Sequence, residues 1–153
     1  MGVLIGVATE QNNGLLPKNS YLIKAKESTD KPYLTLKFSE RQDASYGTIF
    51  MNINRPGSAT LLVIHTSINQ ASSSVGTVKA KYLSGPNGHN IKSVRYIQGT
   101  DNVFRIEIGF KSVSLTPNIR ILNLAGNGSW EWSSSAMEEG SIKSQVTAEL
   151  EAW

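Results

Sequence analysis

The feature that most constrains this chain is a period-two alternation of apolar and polar residues, repeated in short segments. The alternation is clearest from Phe104 to Phe110, where every even position is Phe or Ile and Arg105 and Glu107 fall between them. Successive side chains of a β-strand point to opposite faces, so this pattern predicts a strand with one buried and one wet face.

Similar segments recur along the chain, and each is bounded by Gly, Pro, Asn, Asp or Ser. They predict about ten strands: Tyr21–Lys26, Tyr33–Phe38, Tyr46–Asn54, Thr60–Thr66, Thr77–Leu83, Ile91–Ile97, Val103–Phe110, Asn118–Leu124, Trp130–Ser133 and Ile142–Leu150. Short strands separated by turn residues are typical of an all-β antiparallel β-sandwich or jelly roll. No segment carries a helical stripe of three turns, although Ala136–Glu139 or the C-terminus could form a short helix.

Details of the pattern extend this prediction. Apolar residues occupy both faces of Thr60–Thr66, so we expect a central strand that is covered on both sides. The Asn-Gly pair within Ser84–Asn90 favours positive φ at a hairpin turn. Residues 1–19 are predicted to be an N-terminal arm or linker, and residues 20–153 a β-sandwich binding domain.

Composition excludes several classes of protein. A chain of 153 residues is expected to form one domain. Its 15 Lys and Arg exceed its 12 Asp and Glu only slightly and are scattered, so nucleic acid is not an expected partner. The absence of Cys rules out disulfides, a thiolate nucleophile and a Cys-based zinc site. The apolar run Gly2–Ala8 lacks a preceding basic segment and is too short to span a bilayer, so neither a signal peptide nor membrane insertion is predicted.

The sequence offers little catalytic chemistry. His65 lies in the most apolar strand and is expected to be a hydrogen-bonded core or interface residue. His89 lies in the Asn-Gly turn, where it is either a solvated turn residue or a contact for a ligand. No nucleophile elbow, phosphate loop, dinucleotide fingerprint or metal motif occurs, so we expect no catalytic residue, metal or cofactor. Paired carboxylates for glycoside hydrolysis could come from Asp101, Glu107, Glu131, Glu138 or Glu139, but spacing singles out none of them.

The aromatic residues point to binding. Trp130 and Trp132 are two positions apart on one predicted strand, so both rings project from the same face. Such a pair forms either a sugar-stacking platform or a buried contact with the core or another subunit. Further candidates for a carbohydrate site lie on neighbouring segments, which gives the set Trp130, Trp132, Tyr96, Tyr82, Arg95 and His89.

Three features together carry a family resemblance. They are the polar N-terminal arm, the run YGTIFMNINR from Tyr46 to Arg55, and the run DNVFRIEIGF from Asp101 to Phe110 before Trp130-Glu131-Trp132. Over residues 20–133 the sequence, with these features, resembles the terminal β-sandwich domains of bacteriophage tail fibres and tailspikes. The resemblance implies a homotrimeric receptor-binding tip of the virion, extracellular, which attaches to a bacterial surface glycan or protein. The resemblance includes no motif that can be matched residue by residue to positions of this chain.

The predicted function is therefore non-enzymatic adhesion of a phage tail fibre or tailspike to host cell-surface carbohydrate. A homotrimer is also supported without the resemblance. A strand with apolar residues on both faces and several large aromatic residues can bury more surface when the chain assembles. Three alternatives remain open. They are a glycan depolymerase using Glu107 or Glu131, a monomeric secreted carbohydrate-binding module or lectin, and a structural trimerisation domain with Trp130 and Trp132 between subunits.

Overall fold

The computed structural model describes residues 20–23, 31–55, 58–111 and 118–153. The strands within these ranges are β1 (Ser20–Ile23), β2 (Tyr33–Phe38), β3 (Thr48–Arg55), β4 (Ser58–Asn69), β5 (Ser74–Ser84), β6 (Ile91–Gly99), β7 (Phe104–Phe110), β8 (Asn118–Ala125), β9 (Gly128–Ser133), β10 (Ile142–Thr147) and β11 (Leu150–Ala152). A four-residue helix, α1 (Arg41–Ala44), and a 3₁₀ turn at Glu139–Ser141 complete the elements.

The strands form two sheets, which confirms the all-β prediction. One sheet has six strands in the order β1-β8-β3-β4-β5-β11, and the other has five in the order β10-β6-β7-β2-β9. All neighbours pair antiparallel except β11, which runs parallel to β5.

One hydrophobic core lies between the inner faces of the two sheets. The same cluster holds fully buried side chains from the six-stranded sheet, such as Ile49, Met51 and Leu62, and from the five-stranded sheet, such as Leu36 and Ile106. Each such side chain contributes about 1.5 to 3 kcal/mol by leaving water. The alternation in the sequence therefore marks which side of each strand faces the other sheet.

Two connections differ from the sequence prediction. The last predicted strand divides into β10 and β11, which join different sheets, with Ala148 between them donating its backbone N–H to the Val94 carbonyl at 2.8 Å. The Ser84–Asn90 loop is not a hairpin turn, because it carries the chain from β5 in one sheet to β6 in the other. Gly88 in that loop does adopt positive φ, at 72°.

The helix predictions were also wrong. The short helix is α1, between β2 and β3, and the region predicted at Ala136–Glu139 holds only the 3₁₀ turn that begins at Glu139. A four-residue helix is too short to show an amphipathic stripe, so the sequence pattern gives no sign of it.

Strand β4 is central to its sheet, as predicted, but only one of its faces is covered. Leu62 and Ile64 are fully buried against the other sheet, whereas Leu61 and Val63 on the outer face are half-buried. His65 shares this outer face and is exposed, which excludes the core alternative and leaves the prediction of an interface histidine untested. Its Nδ1 lies 3.0 Å from Thr48 Oγ1.

Candidate functional site

The outer face of the five-stranded sheet carries a row of polar residues from four adjacent strands. The strand register places Arg95 of β6 beside Glu107 of β7, Glu107 beside Thr35 of β2, and Thr35 beside Glu131 of β9. Because neighbouring strands lie about 4.8 Å apart, the backbones of Glu107 and Glu131 are separated by about 10 Å.

Arg95 and Glu107 form a buried ion pair at one end of this row. Arg95 Nη2 and Nε donate to Glu107 Oε1 at 2.7 Å and 2.9 Å, and the Glu107 side chain is only 3% exposed. A carboxylate with so little access to water is stabilised by a guanidinium that donates two hydrogen bonds to it.

The same pair holds the segment that follows β9. Glu107 Oε2 accepts a hydrogen bond from the Met137 backbone N–H at 2.7 Å, while Arg95 Nη2 donates to the Met137 carbonyl at 3.3 Å. Arg95 Nη1 also donates to Gln145 Oε1 at 2.8 Å, and Gln145 Nε2 donates to Glu139 Oε2 at 2.9 Å. The segment 133–139, named here the covering loop, is therefore tied down over the sheet.

A cleft of about 370 Å³ lies between the covering loop and the sheet. Ile97 is on the outer face, in register with Arg105. It lines the cleft and is nevertheless fully buried. Trp132 borders the cleft, and the other lining residues are mostly polar: Thr35, Arg105, Glu107, Glu131, Ser133, Ser135, Ala136, Met137 and Glu138. A concave site with convergent polar groups is a candidate ligand site.

Arg105 is fixed at one side of the cleft by Asp101. Its Nη2 donates to Asp101 Oδ2 at 2.7 Å and its Nη1 to Oδ1 at 3.1 Å. The hydrogen bond from Arg105 is the main reason that the pKa of Asp101 falls to about 2, with smaller contributions from the Val103 backbone N–H and the nearby charges of Arg105 and Lys37.

Trp130 and Trp132 face inward along the edge of the core. They stand in register with the buried Leu36 and Leu34 of β2, and the Trp132 ring centroid lies 5.8 Å from that of Phe110. Both tryptophans are half-buried and pack against the core. Trp130 Nε1 is buried, and no group in the described part of the chain accepts its hydrogen bond. Both rings therefore pack on the core, as in the buried alternative for this pair, and Trp132 also borders the cleft.

Tyr96 is a correction to the predicted site. Its side chain is 0% exposed, lies within the core, and donates its hydroxyl to the Ala44 carbonyl at 2.8 Å. Burial also raises its pKa above the ordinary value. A residue without surface offers nothing to a ligand, so Tyr96 belongs to the core and not to the candidate site.

Tyr82 and His89 lie together, but on different elements from the cleft. Their ring centroids are 4.2 Å apart with an interplanar angle of 54°. His89 Nδ1 accepts a hydrogen bond from the Ile91 backbone N–H at 3.1 Å, which places the proton of the neutral ring on Nε2. Burial, and then the charge of Lys111, lower the pKa of His89. Neither ring lines the cleft.

The six residues predicted from the sequence are therefore not brought together. Trp132 borders the cleft, Arg95 supports its covering loop, Trp130 packs nearby, Tyr96 is in the core, and Tyr82 and His89 form a separate pair. Thr35, Arg105 and Ser135 line the cleft together, and they are not among the site residues predicted from the sequence. The available signal was the alternation itself, because it places Arg105 and Glu107 on the outer face of β7.

The described residues form neither a metal cluster nor a membrane-spanning helix. Within the four described ranges, no group of three or more His, Cys, Asp or Glu side chains has the arrangement to hold a metal ion. No helix in those ranges combines the length and the apolar character needed to cross a bilayer.

Comparisons of the chain with protein-family models, with curated proteins and with solved structures found no match in any of the three.

Proposed function

We propose that this chain is a non-enzymatic carbohydrate-binding domain that attaches a phage tail fibre or tailspike to a glycan on the bacterial surface. The observation that carries the proposal is the cleft beneath the covering loop, where Trp132 borders a space of about 370 Å³ lined by Thr35, Ser133, Ser135 and Glu131. Hydroxyls and a carboxylate suit the hydroxyl groups of a sugar.

The state of Glu107 favours binding over glycoside hydrolysis. A hydrolase of this type needs one carboxylic acid that gives a proton to the leaving oxygen and a second carboxylate across the scissile bond. Both oxygens of Glu107 already accept hydrogen bonds, Oε1 from Arg95 and Oε2 from the Met137 N–H. Glu107 therefore acts in this proposal as a support for the covering loop, and the ligand is bound without being cleaved.

We propose further that the chain assembles as a homotrimer through the outer face of the six-stranded sheet. Phe50 of β3 stands in register with Leu122 of β8 on one side and Val63 of β4 on the other, and Leu61 with Leu83 in the next row. Leu83 is 57% exposed, and the other four are half-buried. These residues form an apolar patch within a face that also carries Asn52, Lys81 and Arg120. An exposed apolar patch marks an interaction site, and threefold assembly multiplies weak glycan contacts.

The strand order supports a β-sandwich more than a jelly roll. The strands β3, β4 and β5 are consecutive in the chain and adjacent in one sheet. Location at the virion tip, outside the cell, rests on the resemblance to tail-fibre and tailspike domains.

Trp130 provides a matched control for testing this proposal, because it shares strand and face with Trp132 but does not line the cleft. Glycan-array binding is measured for the unmodified chain and for the Trp132→Ala and Trp130→Ala variants, with circular dichroism to confirm the fold. We expect Trp132→Ala to weaken binding more than Trp130→Ala does, because only Trp132 borders the cleft. No binding to any glycan would refute the proposal, and shortening of a bound polymer would show an enzyme instead.

A further inference from the structure

The charges around the cleft are unlike those of the whole chain. The chain carries a formal net charge of +3. Around the cleft, carboxylates outnumber cations. Counted here are the charged residues that line the cleft, their ion-pair partners and their neighbours in register: the carboxylates are Asp101, Glu107, Glu131, Glu138 and Glu139, and the cations are Lys37, Arg95 and Arg105. A concave site with an excess of one sign of charge concentrates ligands of the opposite sign.

Both arginines at the cleft are already neutralised by neighbouring carboxylates. Arg95 pairs with Glu107 at 2.7 Å and with Glu139 at 3.5 Å, and Arg105 pairs with Asp101 at 2.7 Å. Lys37 of β2 stands in register with Arg105 of β7 but does not line the cleft. An anionic ligand in the cleft would therefore have to compete with carboxylates that already hold these guanidinium groups.

The carboxylates that line the cleft without such a partner are Glu131 and Glu138. Both are exposed, and neither forms an ion pair with any residue in the described part of the chain. We infer that the cleft selects glycans by charge: it prefers sugars with a protonated amino group, accepts neutral sugars less well, and disfavours sugars that carry carboxylates or phosphates. This inference rests on the proposed carbohydrate function and adds a ligand class to it.

The expected size of the preference follows from the exposure of these groups. An ion pair between solvent-exposed partners changes an equilibrium by about 1.5- to 5-fold. With two such carboxylates, we expect an amino sugar to bind about 2- to 20-fold more tightly than its neutral counterpart. The preference should shrink as salt is added, because salt screens exposed charges.

The test compares three oligosaccharides of equal length at mildly acidic pH by calorimetry: a glucosamine oligomer, an N-acetylglucosamine oligomer and a galacturonic acid oligomer. If the array reveals a ligand with another backbone, its amino, neutral and carboxylated forms are used instead. Glu131→Gln keeps the size of the side chain and removes its charge, so it should reduce the amino-to-neutral affinity ratio about 2- to 5-fold. Glu149→Gln, at an exposed position outside the cleft lining, is the matched control and should leave the ratio unchanged.

The outcomes separate this inference from the proposed function. A galacturonic acid oligomer that binds as tightly as the glucosamine oligomer, or a ratio unaffected by Glu131→Gln, overturns the charge selection and leaves carbohydrate binding intact. An array with no bound glycan of any charge overturns the proposed function, and the inference is overturned with it.

Discussion

Glu107 accepts a hydrogen bond from the backbone N–H of Met137 at 2.7 Å, although the two residues are 30 positions apart in the chain. The same carboxylate is held by Arg95, which also donates to the Met137 carbonyl. The buried Arg95–Glu107 ion pair therefore forms hydrogen bonds with both the backbone N–H and the carbonyl of Met137. That arrangement keeps the covering loop over the sheet and thereby forms the cleft.

Replacing Glu107 tests this support directly. Glu107→Gln keeps the shape but removes the charge that compensates the largely buried Arg95, so we expect the free energy of unfolding to fall by about 3 kcal/mol. Amide hydrogen exchange at Met137 should accelerate more than exchange in β3 or β4, on the opposite sheet. The double variant Arg95→Met, Glu107→Gln should recover part of the lost stability, since no charge is left unpaired. Unchanged exchange at Met137 in the single variant would contradict the supporting role.

The pKa of Asp101 predicts a dependence of stability on acid. Its carboxyl has a pKa of about 2 in the folded chain against 3.8 for an ordinary Asp. Because the folded value is the lower one, the stabilisation is fully present above the ordinary value and is lost as pH falls from about 4 to about 2. The Asp101 side chain is 49% exposed, so solvent screening limits its contribution to about 0.5 kcal/mol.

A carboxyl-selective NMR titration measures this pKa. The Arg105→Gln variant should return the pKa of Asp101 most of the way to its ordinary value. An Asp101 that titrates normally in the unmodified chain would show that the pair with Arg105 does not form in solution.

Tyr96→Phe separates a core role from a ligand role. The substitution removes the hydroxyl that donates to the Ala44 carbonyl, an oxygen that also accepts from Thr66 Oγ1 at 3.2 Å. We expect a loss of about 1 kcal/mol in the free energy of unfolding, the usual worth of one hydrogen bond. Chemical denaturation measures this loss. Glycan affinity should stay the same, and a clear drop in affinity at unchanged stability would return Tyr96 to the site.

Assembly through the six-stranded sheet predicts the effect of a charge on its outer face. The unmodified chain should have the molar mass of a trimer by light scattering, and Leu83→Lys should dissociate it, because an unpaired charge would be buried in the interface. Tyr46→Ser is the control, since Tyr46 is a comparably exposed hydrophobic residue, at 49%, outside the strands of that face. A monomeric unmodified chain would refute the assembly.

Gly126 gives a prediction about the turn that leads into β9. Its φ is 92°, and a Cβ at this position would lie 2.8 Å from the Asp43 carbonyl oxygen. Gly126→Ala should therefore lower the free energy of unfolding by about 1 to 3 kcal/mol through backbone strain. Gly140→Ala is the control, because nothing described lies within 4 Å of a Cβ there. Equal thermal unfolding of the two variants would contradict the strain.

The fold class and the position of most strands follow from the local alternation of apolar and polar residues, because that alternation matches the two faces of a strand. Tyr33–Phe38 was predicted with its exact limits, and the buried face of β7 was predicted residue by residue. The same rule places Arg95 and Tyr96 on opposite faces of β6, so it already argued against a site that contains both.

Which strands lie side by side, and therefore which residues form the candidate site, depends on the tertiary fold. Thr35 stands between Glu107 and Glu131 because β2 pairs with both β7 and β9, partners far from it in the chain. The same pairing put Trp130 and Trp132 on the side of Leu36 and Leu34. Strand order depends on long-range packing of whole faces, and no local period encodes it.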